Sequence, residues 1–283
     1  MHLDCKSINK YLFIFVFIFY LLYVSPLIVF NVPYIDDLVR TEYGMIAMSS
    51  VGRPLAELIF YFINGGGILS EITPLTQIIG ISLFAYSVVF YCENKFTDIS
   101  TELKFYLASS CIFSPFLLEN LSYHIDITNQ LFSAACAFLA LAKQRKNKTD
   151  ILFSILVLIM GLSLYQASFN LFLSLVLFDV ILGINNNKNK FSIIYINIGI
   201  SVISYFLYRL IINIFCKKQM LTNEYIRSSM QILPFNIDSI FLTWKHFKDY
   251  LLLEKEAISS YPTVFLLGIF ILILIYIYKA LYH

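Results

Sequence analysis

Long uninterrupted apolar runs are the feature that most limits what this chain can fold into. The first run covers residues 11–30 and matches the ~20 residues that a helix needs to cross a bilayer. Similar runs recur, and 59 % of the 283 residues are hydrophobic, which exceeds the need of one soluble core. Because backbone polar groups in lipid must pair within the chain, such runs predict helices. We therefore expect an all-α, polytopic membrane helical bundle.

The apolar runs predict about eight transmembrane helices within a single integral membrane domain, 1–283. The first run lacks a small-residue cleavage site, which favours a retained span over a removed signal peptide. The predicted spans are Tyr11–Phe30, Leu75–Tyr91, Lys104–Leu117, Ile127–Ala142, Ile151–Leu164, Phe169–Leu182, Ser192–Phe215 and Thr263–Tyr278.

The distribution of cations predicts the orientation in the membrane. Loops near 119–126 and 165–168 contain no Lys or Arg, so the positive-inside rule places them outside. The loop 31–73 then also faces the exterior, which for a bacterial inner (plasma) membrane is the periplasm. The cations that fall in the cytoplasm with the N-terminus are Lys6, Lys10, Lys95, the run KQRKNK at 143–148, Lys188 and Lys190.

Charge and cysteine content argue against a nucleic-acid-binding protein and against a protein built on disulfides or a metal site. A net charge of +2 without a basic stripe does not indicate a nucleic-acid partner. The five cysteines form neither a CxxC motif nor a Cys/His cluster, so we expect no disulfide framework and no metal site. No cofactor is therefore predicted, and a divalent cation stays an open alternative.

The exterior loop 31–73 concentrates charge in a chain that is only 13 % charged. Its adjacent carboxylates, Asp36 and Asp37, repel each other at a membrane surface unless a cation, a metal or a polar ligand compensates them. They are therefore the candidate catalytic residues. The alternative is a solvated loop whose charges stop the span, with Asp36 and Arg40 as an ordinary i,i+4 helix pair.

Two amphipathic helices are predicted at the membrane surface. Pro54 suits the first turn of one helix, which has one apolar face and ends near Gly65. The segment 217–260 also shows helical spacing of apolar residues, with Trp244 suited to the headgroup level. We interpret this second segment as an exterior lid or surface helix.

Two further exterior segments carry polar groups that a plain helical bundle would not need. They are ENLSYHID at 119–126 and the YQAS break at 165–168. Ionisable groups at span ends are often interfacial anchors, and this is the alternative for His124. A carboxylate inside the membrane costs about 2.5–3.5 kcal/mol on insertion scales, so Glu119 and Asp126 are expected to face a cavity. Three exterior polar segments can therefore line one pocket.

Five segments, taken in order, resemble the glucosyltransferase II family over about residues 10–280. They are YIDDLVRTEYG, GRPLAELI, EITPL, PFLLENLSYHID and GLSLYQASFN. Members are serotype-converting O-antigen glucosyltransferases of the lipid-carrier-dependent, multi-span class with a GT-C-type fold. Family members usually run longer, with a larger periplasmic C-terminal portion, which this chain is expected to lack.

The resemblance implies transfer of glucose from undecaprenyl-phosphate glucose to an O-antigen (lipopolysaccharide) sugar on the periplasmic face, with inversion at the anomeric carbon. This reaction needs a base for the acceptor hydroxyl and cations for the departing phosphate. Asp36 is favoured over Asp37 as the base, while Arg40 and Arg53 would bind the phosphate bidentately. The residues that would bind the sugars are Glu57, Glu119, Asn120, Tyr123, Asp126 and Gln166, with His124 beside them.

Two alternatives to an active glucosyltransferase remain open. A transporter or flippase of lipid-linked sugar would use the same charges to line a pathway, and carboxylates in the middle of several spans would favour it. The predicted charges gather instead at exterior ends, which favours a surface-facing catalytic pocket. The other alternative is an inactive family member that is shortened at its C-terminus.

The predicted topology can be tested by labelling. Single cysteines placed near Ser49 and near Lys146, in a background without the native cysteines, should differ in reactivity with a membrane-impermeant thiol reagent on intact cells. The first should react because the 31–73 loop faces outward, and the second should not. The opposite pattern of labelling would reject this topology.

Overall fold

The structure is a computed structural model that describes the helical core of the chain and part of the rest. The described residues are 8–30, 37–38, 40, 42, 44, 47–66, 68–69, 72–113, 115–142, 147–185, 190–222, 241–242, 244–246, 248–249 and 252. All regular secondary structure within these residues is helical, which confirms the all-α expectation.

Ten helices and one 3₁₀ turn build the described part of the chain. The 3₁₀ turn, Met48–Val51, lies just before the second helix. The helices are α1 (Lys10–Phe30), α2 (Pro54–Asn64), α3 (Leu75–Lys95), α4 (Thr101–Ser110), α5 (Pro115–Ser122), α6 (Ile127–Ala142), α7 (Lys148–Leu164), α8 (Ser168–Asn185), α9 (Lys190–Phe215) and α10 (Lys217–Thr222).

Three described helices are long and apolar enough to cross a membrane. They are α1, α3 and the part of α9 from Ile194 to Phe215. Helices α2 and α6 and the first part of α8 are apolar but shorter. The predicted count of about eight spans is therefore not confirmed, and the predicted span 263–278 lies outside the described residues.

The predicted span Lys104–Leu117 is wrong as a single helix. Helix α4 ends at Ser110, and the next three backbone amides donate to carbonyl oxygens three residues earlier, which is a tight turn. Helix α5 then begins at Pro115. Proline disfavours helical backbone at the residue before it. This continuous apolar run therefore does not form one continuous helix.

Helix α6 forms the centre of the bundle and is buried along almost its whole length. Its neighbours α3 and α7 approach it closely at glycines. A Cβ atom added at Gly80 would lie 3.0 Å from Leu131 Cδ1, and one added at Gly161 would lie 3.0 Å from Cys136 Cβ. Small residues at helix contacts are the main way in which membrane helices pack tightly.

Side-chain hydrogen bonds to backbone carbonyl groups show the relative directions of these helices. Ser133 Oγ donates to the Gly161 oxygen (2.8 Å), while Ser154 Oγ donates to the Ala140 oxygen (2.7 Å), so α6 and α7 are antiparallel. Thr128 Oγ1 donates to the Thr76 oxygen (2.7 Å), and α3 and α6 run parallel. The starts of α3, α6 and α8 and the ends of α7 and α9 thus share one end of the bundle, called the site end below.

Two buried or half-buried ion pairs lie toward the opposite end. Lys104 Nζ and Glu93 Oε2 are 2.8 Å apart and join α4 to α3. Lys95 pairs with Asp179 of α8, whose carboxylate also accepts from the Tyr91 hydroxyl (2.9 Å). Because each charge has a partner, these pairs explain how ionisable groups are tolerated inside an apolar bundle.

The chain divides into two compact units, 1–227 and 228–283. In the second unit the described residues between 241 and 252 are helical, and Lys248 Nζ lies 5.8 Å from the ring centre of Trp244. That i,i+4 contact agrees with the predicted helix. The lid role of 217–260 and the single functional domain stay predictions.

The close approach at Gly80 predicts a position-specific loss of stability. Gly80→Val should lower the free energy of unfolding by about 1–3 kcal/mol, because the added carbons meet Leu131 and Thr128 of α6. Gly199→Val is the matched control, since nothing lies within 4 Å of a Cβ there. Thermal unfolding in detergent should show a lower Tm for the first variant, and equal Tm values would contradict the packing.

Candidate functional site

Two arginines share one carboxylate at the site end. Arg40 Nη1 lies 2.7 Å from Asp126 Oδ1, and Arg53 Nη1 lies 3.9 Å from Asp126 Oδ2. The three side chains are 18 %, 23 % and 13 % exposed, so the cluster is largely withdrawn from water. Two cations around one anion leave a positive excess that suits a second anion.

An aromatic ring supports each arginine. Arg40 Cζ lies 5.5 Å from the ring centre of Phe60, and Arg53 Cζ lies 4.4 Å from that of Tyr165. Contacts of this kind attract a guanidinium to the ring face and leave its N–H groups free to bind in the plane. Arg40 Nη2 is buried and has no hydrogen-bond partner among the described residues, so it offers a spare donor.

The Gln166 amide holds Arg53 in place. Its Oε1 accepts from Arg53 Nε (3.3 Å), and its Nε2 lies within hydrogen-bond distance of the carbonyl oxygens of Val51 (3.0 Å) and Gly52 (3.1 Å). The same Nε2 donates to the Tyr208 hydroxyl (2.9 Å), which donates to the Gly52 oxygen (2.9 Å). Gln166 was predicted to bind sugar, and its contacts in this structure orient Arg53 and the 3₁₀ turn.

Gly52 makes this arrangement possible. Its φ of +76° is in the left-handed region, and a Cβ there would lie 3.2 Å from Gln166 Nε2. Only glycine adopts this backbone without strain, so Gly52 allows the turn before α2 to lie directly against the amide.

Glu57 supports the same turn from α2. Its carboxylate accepts from the backbone N–H of Ser49, and it lies in the first turn of the helix, where a negative charge is favourable. This predicted sugar ligand therefore has a structural contact that joins α2 to the 3₁₀ turn.

Asp37 is buried at 2 % exposure and binds backbone amides. Its Oδ2 accepts from the N–H of His124 (2.9 Å) and its Oδ1 from the N–H of Ile125 (3.2 Å). These two residues come directly before Asp126, so Asp37 holds the turn that presents Asp126 to the arginines. Asp36, the favoured base, lies outside the described residues.

The remaining predicted ligands lie along α5 and the turn after it. Asn120 and Tyr123 are half-buried, and the side chain of Glu119 lies outside the described residues. His124 is 3 % exposed, and it lines a small cleft with Phe60 of α2, Thr76 of α3 and residues of the segment between them.

The structure thus brings together Arg40, Arg53, Asp126 and Gln166, as expected from the polar exterior segments. Sequence reasoning missed the supporting residues Phe60, Tyr165 and Tyr208. Phe60 and Tyr165 belong to segments that the sequence analysis had already singled out, and arginine commonly forms cation–π contacts with such rings. No group of three or more His, Cys, Asp or Glu side chains that could hold a metal ion occurs among the described residues.

Comparisons with known proteins give a family and a relative. The model of the glucosyl transferase GtrII family matches residues 25–282. A protein of Salmonella phage P22, described as an uncharacterized 55.3 kDa protein in the gtrB 5' region, is 33 % identical over 241 residues. The match covers 81 % of this chain and 47 % of the relative, so the chain spans about half the length of that curated protein. No solved structure matches the chain.

The contacts of Asp37 predict that Asp37→Asn destabilises the fold. Asparagine keeps one acceptor oxygen but turns an N–H₂ group toward the second buried amide, which should cost about 1–3 kcal/mol. Glu42→Gln is the control, because it removes the same charge at an exposed position of the same segment. Thermal unfolding should give a lower Tm for Asp37→Asn only, and an unchanged Tm would remove this structural role.

Proposed function

The chain belongs to the glucosyl transferase GtrII family, and from this we propose that it is a membrane-bound glucosyltransferase acting on the O-antigen. Its donor is undecaprenyl-phosphate glucose, and its acceptor is a sugar of the lipopolysaccharide at the periplasmic face of the inner membrane. Addition of glucose there converts the serotype. Its partners in this reaction are the two substrates and the lipid bilayer, and no nucleic acid takes part.

The observation that carries the proposal is the pair of arginines around Asp126. A glycosyl phosphate donor needs cations at its phosphate, and planar guanidinium groups bind phosphate oxygens bidentately. Arg40 and Arg53 already converge on one anion, and the Nη2 donor of Arg40 is unused within the described residues. The Asp126 carboxylate occupies the position that suits the donor phosphate.

The reaction is a single displacement. The acceptor hydroxyl oxygen attacks C1 of glucose while the bond from C1 to the phosphate oxygen breaks, with inversion at C1. The hydroxyl proton passes to the carboxylate of Asp36, and the electron pair of the broken bond leaves on the lipid phosphate. Arg40 and Arg53 stabilise that developing charge in a site largely withdrawn from water.

Other residues support this chemistry in two ways. Asp37, Glu57 and Gln166 hold the turns that carry Asp126 and Arg53. The acceptor sugar meets the polar residues along α5 and its following turn. These are Glu119, Asn120, Tyr123 and His124.

The proposed membrane arrangement is supported by the apolar helices and by the positions of lysine residues. The long apolar helices α1, α3 and α9 anchor the protein, and Lys10, Lys95, Lys104 and Lys148 gather at the end opposite the arginines. We assign that end to the cytoplasm with the N-terminus and the site end to the periplasm. The lipid tail of the donor enters from the bilayer, as in GT-C-type enzymes.

Asp36→Asn should lower transfer by about 10²- to 10⁴-fold, the usual contribution of a general base, because asparagine cannot accept the proton. The assay uses purified protein, undecaprenyl-phosphate glucose and O-antigen acceptor, with mass analysis of the product. Thermal unfolding should be unchanged, in contrast to Asp37→Asn.

The wild-type protein is assayed first, and its result distinguishes an enzyme from a flippase. Transfer of glucose supports the enzyme, while lipid-linked sugar crossing proteoliposomes without transfer would favour a flippase. If Asp36→Asn transfers glucose at the wild-type rate, Asp36 is not the base.

A further inference from the structure

Two amide side chains of α6 are buried without hydrogen-bond partners among the described residues. Asn129 is 2 % exposed, and both its Nδ2 and its Oδ1 lack a partner. Gln130 is 7 % exposed, and its Oε1 lacks one. Buried polar groups in native proteins are nearly always hydrogen-bonded, so these atoms indicate a ligand or ordered water that they bind.

Helical spacing places both amides on the side of α6 that Asp126, the carboxylate shared by the arginines, begins. The Gln130 N–H donates to the Asp126 carbonyl oxygen (3.0 Å), so Asp126 leads directly into α6. Asn129 and Gln130 follow Asp126 by three and four residues, which puts all three on one face. Ser133 continues this face, and its Oγ lies within hydrogen-bond distance of the carbonyl oxygen of Tyr165 (2.7 Å), whose ring supports Arg53.

The chemistry of an amide fits a sugar better than a phosphate. An amide side chain offers two donor hydrogens and an acceptor oxygen, whereas a phosphate oxygen only accepts. Hydroxyl groups both donate and accept, so a polyol can satisfy every unpartnered atom of Asn129 and Gln130. The 1.5 Å rise per residue puts Asn129 about 4.5 Å along α6 from Asp126, a distance comparable to the width of one pyranose ring.

We propose that Asn129 and Gln130 bind the hexose hydroxyls of the lipid-linked donor while Arg40 and Arg53 bind its phosphate. This rests on the proposed function, because the hexose is bonded to the phosphate that the arginines hold. Because the amides are buried in the described conformation, a rearrangement in which the phosphate replaces Asp126 as the partner of the arginines is part of this proposal. Donor binding then opens the face of α6 to the sugar.

The test separates the sugar from the phosphate by using two lipids. Binding of undecaprenyl-phosphate glucose and of undecaprenyl phosphate is measured for purified protein in detergent. Asn129→Leu should weaken binding of the glucosylated lipid about tenfold, since it removes two neutral hydrogen bonds, and should leave the plain phosphate lipid unchanged. Its Tm should be equal or higher, because an apolar side chain of similar shape replaces unpaired polar atoms.

Asn197→Leu is the matched control. Asn197 of α9 is 1 % exposed and also has two amide atoms without partners among the described residues. It lies seven residues before Ser204, which contacts the middle of α7, so it is far from the site end. This variant should bind both lipids as the wild type does.

Each outcome decides the proposal. Unchanged binding of both lipids by Asn129→Leu, or an equal loss of both, overturns a sugar subsite on α6. If Asn129→Leu does not fold, Gln130→Met is measured in the same way and judged by the same criteria. If the wild-type protein binds neither lipid, the proposed donor is wrong. That failure differs from one in which the wild type binds the donor and the variant keeps its preference for the glucosylated lipid.

Discussion

The close packing of α6 between α3 and α7 is the constraint on which the rest of the described structure depends. Lipid offers no hydrophobic gain when two apolar helices meet, so association relies on tight contact and on hydrogen bonds between helices. Gly80 and Gly161 permit that contact, and Ser133 Oγ donates to the Gly161 carbonyl oxygen of α7. A central helix held in this way is a rigid support for the groups at its N-terminal end.

The site is built on that end of α6. Asp126 leads into the helix, while Asp37 binds the amides of the preceding turn from 87 residues earlier in the chain. Arg53 is oriented by Tyr165 and Gln166, which follow α7. Two partly buried cations then share one carboxylate, and this unbalanced cluster suits an anionic substrate group.

Several polar residues that sequence analysis assigned to catalysis or substrate binding have structural contacts in the described fold. Asp37 and Glu57 accept from backbone N–H groups, and the amide of Gln166 binds backbone carbonyl oxygens. Irregular backbone inside a membrane bundle must find such partners, because water is not there to supply them. Polar residues around the proposed site therefore also serve the fold, whereas Asn129, near the start of α6, is a buried amide with no partner among the described residues.

The sequence by itself determined the helical class, because apolar runs in lipid must pair their backbone groups internally. It also indicated which polar segments share one end of the bundle, since charge and turn residues mark where spans stop. Only the tertiary structure decided what each polar side chain binds. The backbone partners of Asp37 and Gln166 described above lie 87 to 115 residues away, and sequence spacing defines neighbours only within one helix. Those distant contacts decide which polar side chains stabilise the fold and which are available to a substrate.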